Sequence, residues 1–310
     1  MIVFRAINAI LPLMHKNVPQ IFDRARLRRN RARRAARLGD YGFLVQRAAD
    51  DLATRIGLQN RDFETALCLG ASGGILRDKL AQSHARIGHF IEADLTPALL
   101  PQGGLVLDEE ALPIKPQSLD LVVSLWGLHH VNDLPGALLQ MRRALKPDGL
   151  FLAALPGGAT LAALRAAFMN SEATLLGGAQ PHIHPFADLQ DLAGLMQRAG
   201  FALPVADSDM VSVRYQNPYR LLDDLRGMGE ANVLTARPRA FLRRDVLNMA
   251  LAQFAEATQS EGKAVADFEL CYLAGWAPHE SQTRPHEQGT PFTRFDETAL
   301  AGDANKNSDT

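Results

Sequence analysis

The tightest constraint on this chain is Thr65 to Leu76, TALCLGASGGIL. Thr65 to Leu69 is an apolar run too short for a helix and bounded by turn formers, as a buried strand would be. Gly70, Gly73 and Gly74 follow. Glycine reaches backbone angles closed to side-chained residues, so peptide N–H groups can face a ligand where the next helix, Gly74 to Ser83, begins. Strand, glycine-rich turn and helix in that order predict an α/β crossover. The turn suits either a nucleotide or plain strand-to-helix packing.

The segments that follow favour the nucleotide. Ile87 to Ala93 reads as a second strand, and it ends in Asp94, about 20 residues past the turn, where such folds hold a ribose hydroxyl pair. Leu105 to Leu107 is a third, followed by Asp108, Glu109 and Glu110. Asp94 could instead begin the turn before Pro97, and the three acids could form a solvated turn. Leu119 to Leu125 is a fourth strand, apolar throughout as a strand covered on both faces must be. Next, Asn132 or Asp133 can cap a helix with Pro135 in its first turn and Leu134, Leu138, Met141 and Leu145 on one face. Lys146 to Gly149 ends that helix, and Leu150 to Leu155 is a fifth strand.

His129 and His130 lie at the carboxyl end of the fourth strand, where open α/β sheets place their ligand crevice. Each is a candidate acid, base or ligand, or a ring that packs the loop. Gly157 to Phe186 reads as an insertion with a helix over Leu161 to Leu176 and then His182-Ile183-His184. Alternating histidines on an extended backbone project to one side, but two imidazoles leave a metal site incomplete, and only Asp188 or Asp191 could add a carboxylate. No metal is therefore assigned, and the insertion is expected to be a lid with His182 facing substrate. Helices over Asp188 to Ala199, Pro218 to Gly229 and Arg239 to Thr258, and strands over Val211 to Tyr215 and Phe268 to Trp276, complete the reading.

The order LxLGxxxG, strand ending in Asp, DEExLP, LDLVVSxxxLHHVND and LKPDG resembles a class I S-adenosylmethionine-dependent methyltransferase: an α/β, Rossmann-like, seven-stranded fold with a C-terminal antiparallel strand beside the fifth, here with helical insertions. More narrowly, the chain resembles the family of assembly factor five of mitochondrial respiratory complex I and its bacterial relatives. That likeness is carried by IFDR (Ile21 to Arg24), DEEALP (Asp108 to Pro113), HVNDLPGAL (His130 to Leu138), PHIHPF (Pro181 to Phe186), GMGEAN (Gly227 to Asn232) and GWxxHESQxRP (Gly275 to Pro285).

The resemblance implies S-adenosyl-L-methionine over Gly70, Ser72 and Gly74, with its ribose on Asp94, its adenine amine on Asp108, and Glu109 and Leu125 completing the cradle. It also implies catalytic work for His129, His130 and His182. Two positions depart from the family pattern: the acid expected two residues before the turn is Cys68, and the middle glycine is Ser72. The implied activity is hydroxylation of an arginine on the iron–sulfur subunit of complex I. The alternatives are methyl transfer to a protein or small molecule and a non-catalytic assembly chaperone. Oxygen insertion needs an activated oxidant, for which the sequence offers neither a complete iron triad nor a flavin signature.

Ile21 to Tyr41 carries eight arginines against Asp23 and Asp40. It reads as a basic helix whose long stems cover apolar surface while their charges meet solvent. A net charge of −1 and no aromatic interleaving argue against nucleic acid. With 47% hydrophobic residues the chain can bury a full core, yet no run of roughly 18 apolar residues predicts a membrane span. Cys68 and Cys271 both sit in apolar runs and read as buried thiols of a reducing compartment. That compartment is the cytoplasm of a bacterium or the matrix of a mitochondrion. Met1 to Pro19 reads as an ordinary start in preference to a transit peptide. The expected organisation is a basic helical segment over 1–45, the methyltransferase-like domain over 46–276 with insertions near 157–186 and 217–262, and a loose polar tail over 277–310.

Overall fold

Helix α1 spans Arg24–Arg34, a short α2 Leu38–Tyr41, and α3 Phe43–Gly57. In α3 the residues Leu44, Val45, Ala48, Ala49, Leu52, Ala53 and Ile56 recur at helical spacing and are all buried. They lie against one face of a sheet that includes β1, Asp62–Leu69. Each fully buried Leu or Ile contributes roughly 1.5–3 kcal/mol, which is what binds this helix to the sheet.

From β1 the chain passes through α4 (Ile75–Leu80), β2 (Arg86–Asp94), β3 (Leu105–Val106), β4 (Leu119–Leu125), α5 (Leu134–Ala144), β5 (Leu145–Pro156), α6 (Ala162–Leu176) and α7 (Leu189–Arg198). It ends with β6 (Ala202–Tyr215), α8 (Tyr219–Met228), α9 (Arg244–Thr258), β7 (Gln259–Ser260) and β8 (Lys263–Trp276). The strand order is β3-β2-β1-β4-β5-β8-β6, with β8 antiparallel to both β5 and β6 and the other neighbours parallel. The expected placement of the last strand therefore holds. The two-residue β7 pairs with β8, so the sheet has eight strands where seven were expected.

Alternation explains the burial of β4 from Leu121 onward. Leu121, Val123 and Leu125 enter the core under α3 and Val122 the core under α5 and α7, which Leu119 joins from before a register shift in the strand. Asp133 caps α5 by accepting from the Gly136 N–H. Helix α5 stops at Ala144, and β5 begins at Leu145, five residues before the expected start. Leu145 pairs with Leu119 across a register shift, and Asp148 takes a positive φ of 60° to carry the strand through it. Strand β6 likewise begins at Ala202, well before Val211, because it pairs along nearly all of β8.

The structure is a computed structural model that describes residues 18–282. The contacts divide the chain into a unit through His279 and a second from Glu280. The readings of Met1 to Pro19 as an ordinary start and of the polar tail fall mostly outside the described residues, as does the end of the HESQxRP motif. Among the described residues no helix is long and apolar enough to cross a membrane.

Candidate active site

Strands β2 and β3 end side by side, with Asp94 in register with Val106. Asp94, Glu109 and Glu110 are buried. Carboxylates without water need cations or hydrogen-bond donors, and α1 supplies the cations. Arg24 Nη2 lies 2.5 Å from both Asp108 Oδ1 and Glu109 Oε2. Arg31 Nη1 lies 3.0 Å from Glu109 Oε1 and 3.8 Å from Asp94 Oδ1. Arg34 Nη2 donates to Ser72 Oγ at 2.9 Å, and its Nη1 to the Met228 carbonyl at 3.0 Å.

Leu27, Asn30, Arg31 and Arg34 thus form the buried face of α1, with the Arg24 guanidinium beside them; the expected solvated basic face holds for Arg28, Arg29, Arg33 and Arg37 and is corrected for Arg24, Arg31 and Arg34. The helix starts where Asp23 accepts from the Arg26 N–H, which turns that face inward. Burial alone would raise the Glu109 pKa. The guanidinium of Arg24, then that of Arg31, more than offset it and hold Glu109 down at about 2.

The glycine turn meets the same edge. Gly70 has φ 82°, and a Cβ there would stand 2.0 Å from the Leu125 carbonyl oxygen. Its freedom is therefore required by the packing of β1 against β4. Gly74 takes φ 92° and Ser72 φ 47°, with Ser72 fully buried. Leu125 is also fully buried, its side chain in the core.

Cys68 is buried, and desolvation pushes its thiol well up. In register with it on β2 is Glu92, whose side chain has no exposed surface and lies 2.5 Å from Arg77 Nη2. A Cβ on Gly74 would lie 3.9 Å from Glu92 Oε1. The set fits an adenosyl group in its chemistry: Asp94 and Asp108 converge beside the turn, and Asp94 Oδ2 is buried with no hydrogen-bond partner. Arg31, on Asp94 and Glu109, and Arg34, on Ser72, already engage these same groups.

Past β4 the chain turns through Leu128–His130, and both histidines are buried. Their rings lie 3.9 Å apart between centroids. Glu230 Oε2 lies 3.2 Å from His129 Nε2 and 3.4 Å from His130 Nε2. Glu230 Oε1 accepts from the Trp126 indole N–H at 2.9 Å, which fixes the carboxylate. His184 Nδ1 lies 3.1 Å from His130 Nε2, and its Nε2 accepts from the Val233 N–H at 3.1 Å. Burial lowers His130 well below its ordinary value and, partly opposed by Glu230, brings His184 to about 4. Burial would raise Glu230, but His129 above all holds it at about 2.

His182 does not join this group. It pairs with Glu172 at 2.7 Å and stacks on Phe168 at 4.9 Å. Glu172 is buried and also accepts from the Gln180 N–H, so His182 anchors the insertion. Both His182 and His184 nonetheless border one apolar recess, with Trp126, Leu161, Phe186, Met228 and Phe268. Asp188 faces the Gly158 backbone, not either histidine.

Sequence reasoning did not single out Glu230 or the buried arginines. GMGEAN now has a physical sense. A Cβ on Gly227 would stand 2.2 Å from the Tyr41 ring, and Gly229 takes φ 83° against Arg34. The close turn ending α8 aims Glu230 at the histidines.

Residues 67–153 match the methyltransferase domain family. The chain is similar to a human protein named arginine-hydroxylase NDUFAF5, mitochondrial, at 38% identity over 89% of this chain and 83% of that protein. It is 28% identical to the malonyl-[acyl-carrier protein] O-methyltransferase of Laribacter hongkongensis, over 88% of this chain and 96% of that one. The solved YcgJ protein of Bacillus subtilis, 14% identical, superposes with a TM-score of 0.51 over 74% of this chain and 98% of its own, a likeness of fold. Identity at this level across nearly the whole of both chains decides the family: the chain belongs to the NDUFAF5 arginine-hydroxylase family, on a methyltransferase fold.

Proposed function

We propose that this protein modifies an arginine of a protein client, the iron–sulfur subunit of respiratory complex I, by hydroxylation, and so acts in assembly of that complex. The observation that carries the reading is convergence. Phe22 and Arg24 of IFDR, His130 and Asn132 of HVND, His184 of PHIHPF and Glu230 of GMGEAN all meet in one place. Phe22 lies edge-on to His130 and His184 at 5.5 and 5.7 Å, and its N–H donates to Asn132 Oδ1 at 2.8 Å. These segments lie far apart in sequence and mostly outside the parts shared by all methyltransferase folds. A site built from them is where a family-specific reaction belongs.

The same reading assigns S-adenosyl-L-methionine to the edge formed by Gly70, Ser72, Gly74, Asp94, Asp108 and Glu109. Glu92 would supply the carboxylate that Cys68 lacks. When bound, that cofactor supplies an activated sulfonium methyl. The chain's own residues orient it: Asp94 and Asp108 accept from hydroxyl and amine hydrogens, and the helix start at Gly74 faces a carboxylate. The apolar recess beside His184 and Glu230 would exclude water from a client side chain. The compartment we assign is the mitochondrial matrix or, in a bacterium, the cytoplasm.

Methyl transfer is the second reading, favoured by the likeness to the malonyl-[acyl-carrier protein] O-methyltransferase. Mass spectrometry of the client subunit from a strain lacking this protein separates the two. One arginine lighter by an oxygen atom than in the parent supports hydroxylation, and a residue lighter by one methylene supports methylation. A subunit unmodified in the parent refutes both and leaves an assembly chaperone.

A further inference from the structure

We infer that His129, His130 and Glu230 form a binding site for one divalent first-row transition-metal ion. The three residues come from two distant parts of the chain, and their ligating atoms lie within 4.8 Å of one another. Two ligand atoms each about 2.1 Å from a shared ion stand about 3.0 Å apart at a right angle and about 3.4 Å apart at the tetrahedral angle. Glu230 Oε2 lies 3.2 Å from one imidazole nitrogen and 3.4 Å from the other, so the carboxylate already stands at ligand spacing from each imidazole.

One supporting hydrogen bond of the kind a metal site uses is in place, on the carboxylate. Trp126 holds the far oxygen of Glu230 and leaves Oε2 to the histidines. His184 Nε2 accepts from the Val233 N–H, so a neutral His184 carries its proton on Nδ1 and donates it to His130 Nε2. That nitrogen's single lone pair, which accepts from His184, also stands 3.4 Å from Glu230 Oε2, so a cation bound between His130 and Glu230 would take the lone pair in place of the His184 N–H. An ion that takes the His130 lone pair leaves the His184 N–H facing its open side, a ready donor to a water or anion bound there.

The Nδ1 atoms of His129 and His130 are buried with no hydrogen-bond partner. An ion on the two Nε2 atoms would leave these Nδ1 groups without the outer hydrogen bond that a metal-bound imidazole ordinarily makes, so the case for the site rests on the convergence of the three ligand atoms. Phe22 and Trp126 pack edge-on against the rings and fix their planes, and the apolar recess reaches Glu230 and His184.

Two imidazoles and one carboxylate, with positions left open, suit non-haem Fe(II) and also accept Zn(II) or Co(II). Ion binding stands on the geometry alone. The choice of Fe(II) rests on the hydroxylase reading, for which the site would be the place where an oxidant is activated.

The test is titration of metal-free full-length protein with Co(II) under anaerobic conditions, followed by visible absorption and by X-ray absorption at the cobalt edge. The expected result is uptake of one ion per chain with two imidazoles in its shell. Affinity should fall by more than about a hundredfold in His129→Ala and in Glu230→Ala, since losing a ligand costs more than losing a supporting hydrogen bond. His89→Ala, at an exposed position of β2, should bind as the parent does. Failure of the folded parent to take up Co(II), Fe(II) or Zn(II) overturns the site, as does a shell with fewer than two imidazoles. The second result needs no variant to fold. Metal bound as expected beside a client that lacks any added oxygen would keep the site and sink the hydroxylase reading. An oxygenated client with a metal-free protein would do the reverse.

Discussion

Arg31 Nη1 lies 3.0 Å from Glu109 Oε1, with both side chains almost wholly out of solvent. A helix composed like a solvated arm thus closes the acid-lined edge of the sheet. Removing Arg31 leaves Glu109 to Arg24 and takes from Asp94 the guanidinium 3.8 Å away. Arg31→Met should lower unfolding stability by about 3 kcal/mol, and the double variant Arg31→Met/Glu109→Leu should regain part of it, since Arg24 keeps Asp108. Urea denaturation of the parent, both single variants and the double variant measures the coupling. A double variant no more stable than Arg31→Met would deny that the pair acts as a unit.

The same carboxylate sets an acid limit. The Glu109 pKa falls from 4.5 to about 2 on folding, so between these values the unfolded chain binds more protons than the folded one. The stability from this group is therefore complete above about pH 4.5 and is lost as pH falls toward 2. Glu109→Gln should be less stable than the parent at pH 7, with the gap narrowing below pH 4.5. Denaturation midpoints from pH 7 to pH 2.5 test it, and a gap independent of pH counts against the assignment.

The sequence was most informative where structure is local. Strand β1, its turn and the N-cap at Asp133 could be read from spacing, because a strand's period and a capping carboxylate act over a few residues. The antiparallel last strand followed from the family likeness. The inward face of α1 could not be read, since nothing within Arg24 to Arg34 says that Asp94, Asp108 and Glu109 will lie beneath it. Glu230 lies 101 residues from His129, so no spacing rule joins them; only the unexplained GMGEAN segment marked the place. His182 and His184 misled in the other direction. Alternation put both on one cavity, but the nearest buried acid, Glu172, took His182 away from His130.

Gly70 tests what the turn is for. A side chain at φ 82° costs about 1–2 kcal/mol, and its Cβ would meet a main-chain oxygen of β4 that cannot turn aside. Gly70→Ala should lose more than about 2 kcal/mol in unfolding stability even without ligand. A variant as stable as the parent, impaired only in cofactor affinity, would return Gly70 to a purely ligand-facing role.

His182 should behave as a tether. His182→Ala leaves Glu172 buried and short of one partner, a loss of about 1–3 kcal/mol, with faster hydrogen exchange over 177–186. If the ring acts on substrate instead, client modification falls while stability and exchange stay unchanged. His182→Gln, which can still donate to Glu172, should restore both stability and modification if the tether is the role.

Arg31 and Arg34 are bonded to Asp94, Glu109 and Ser72, groups that the proposed adenosyl site would use, so on that reading the ligand competes with α1 for them. A ligand that binds there selects chains in which α1 has withdrawn. S-adenosylmethionine should therefore speed amide exchange across residues 24–34 by at least about tenfold, whereas ligands ordinarily slow exchange where they bind. Asp94→Ala, which removes the buried unpartnered oxygen, should abolish both the binding seen by calorimetry and the faster exchange. Binding that leaves α1 exchange unchanged or slower would place the ligand elsewhere on the fold. In that case the arginines are a permanent part of the site rather than a displaceable cover.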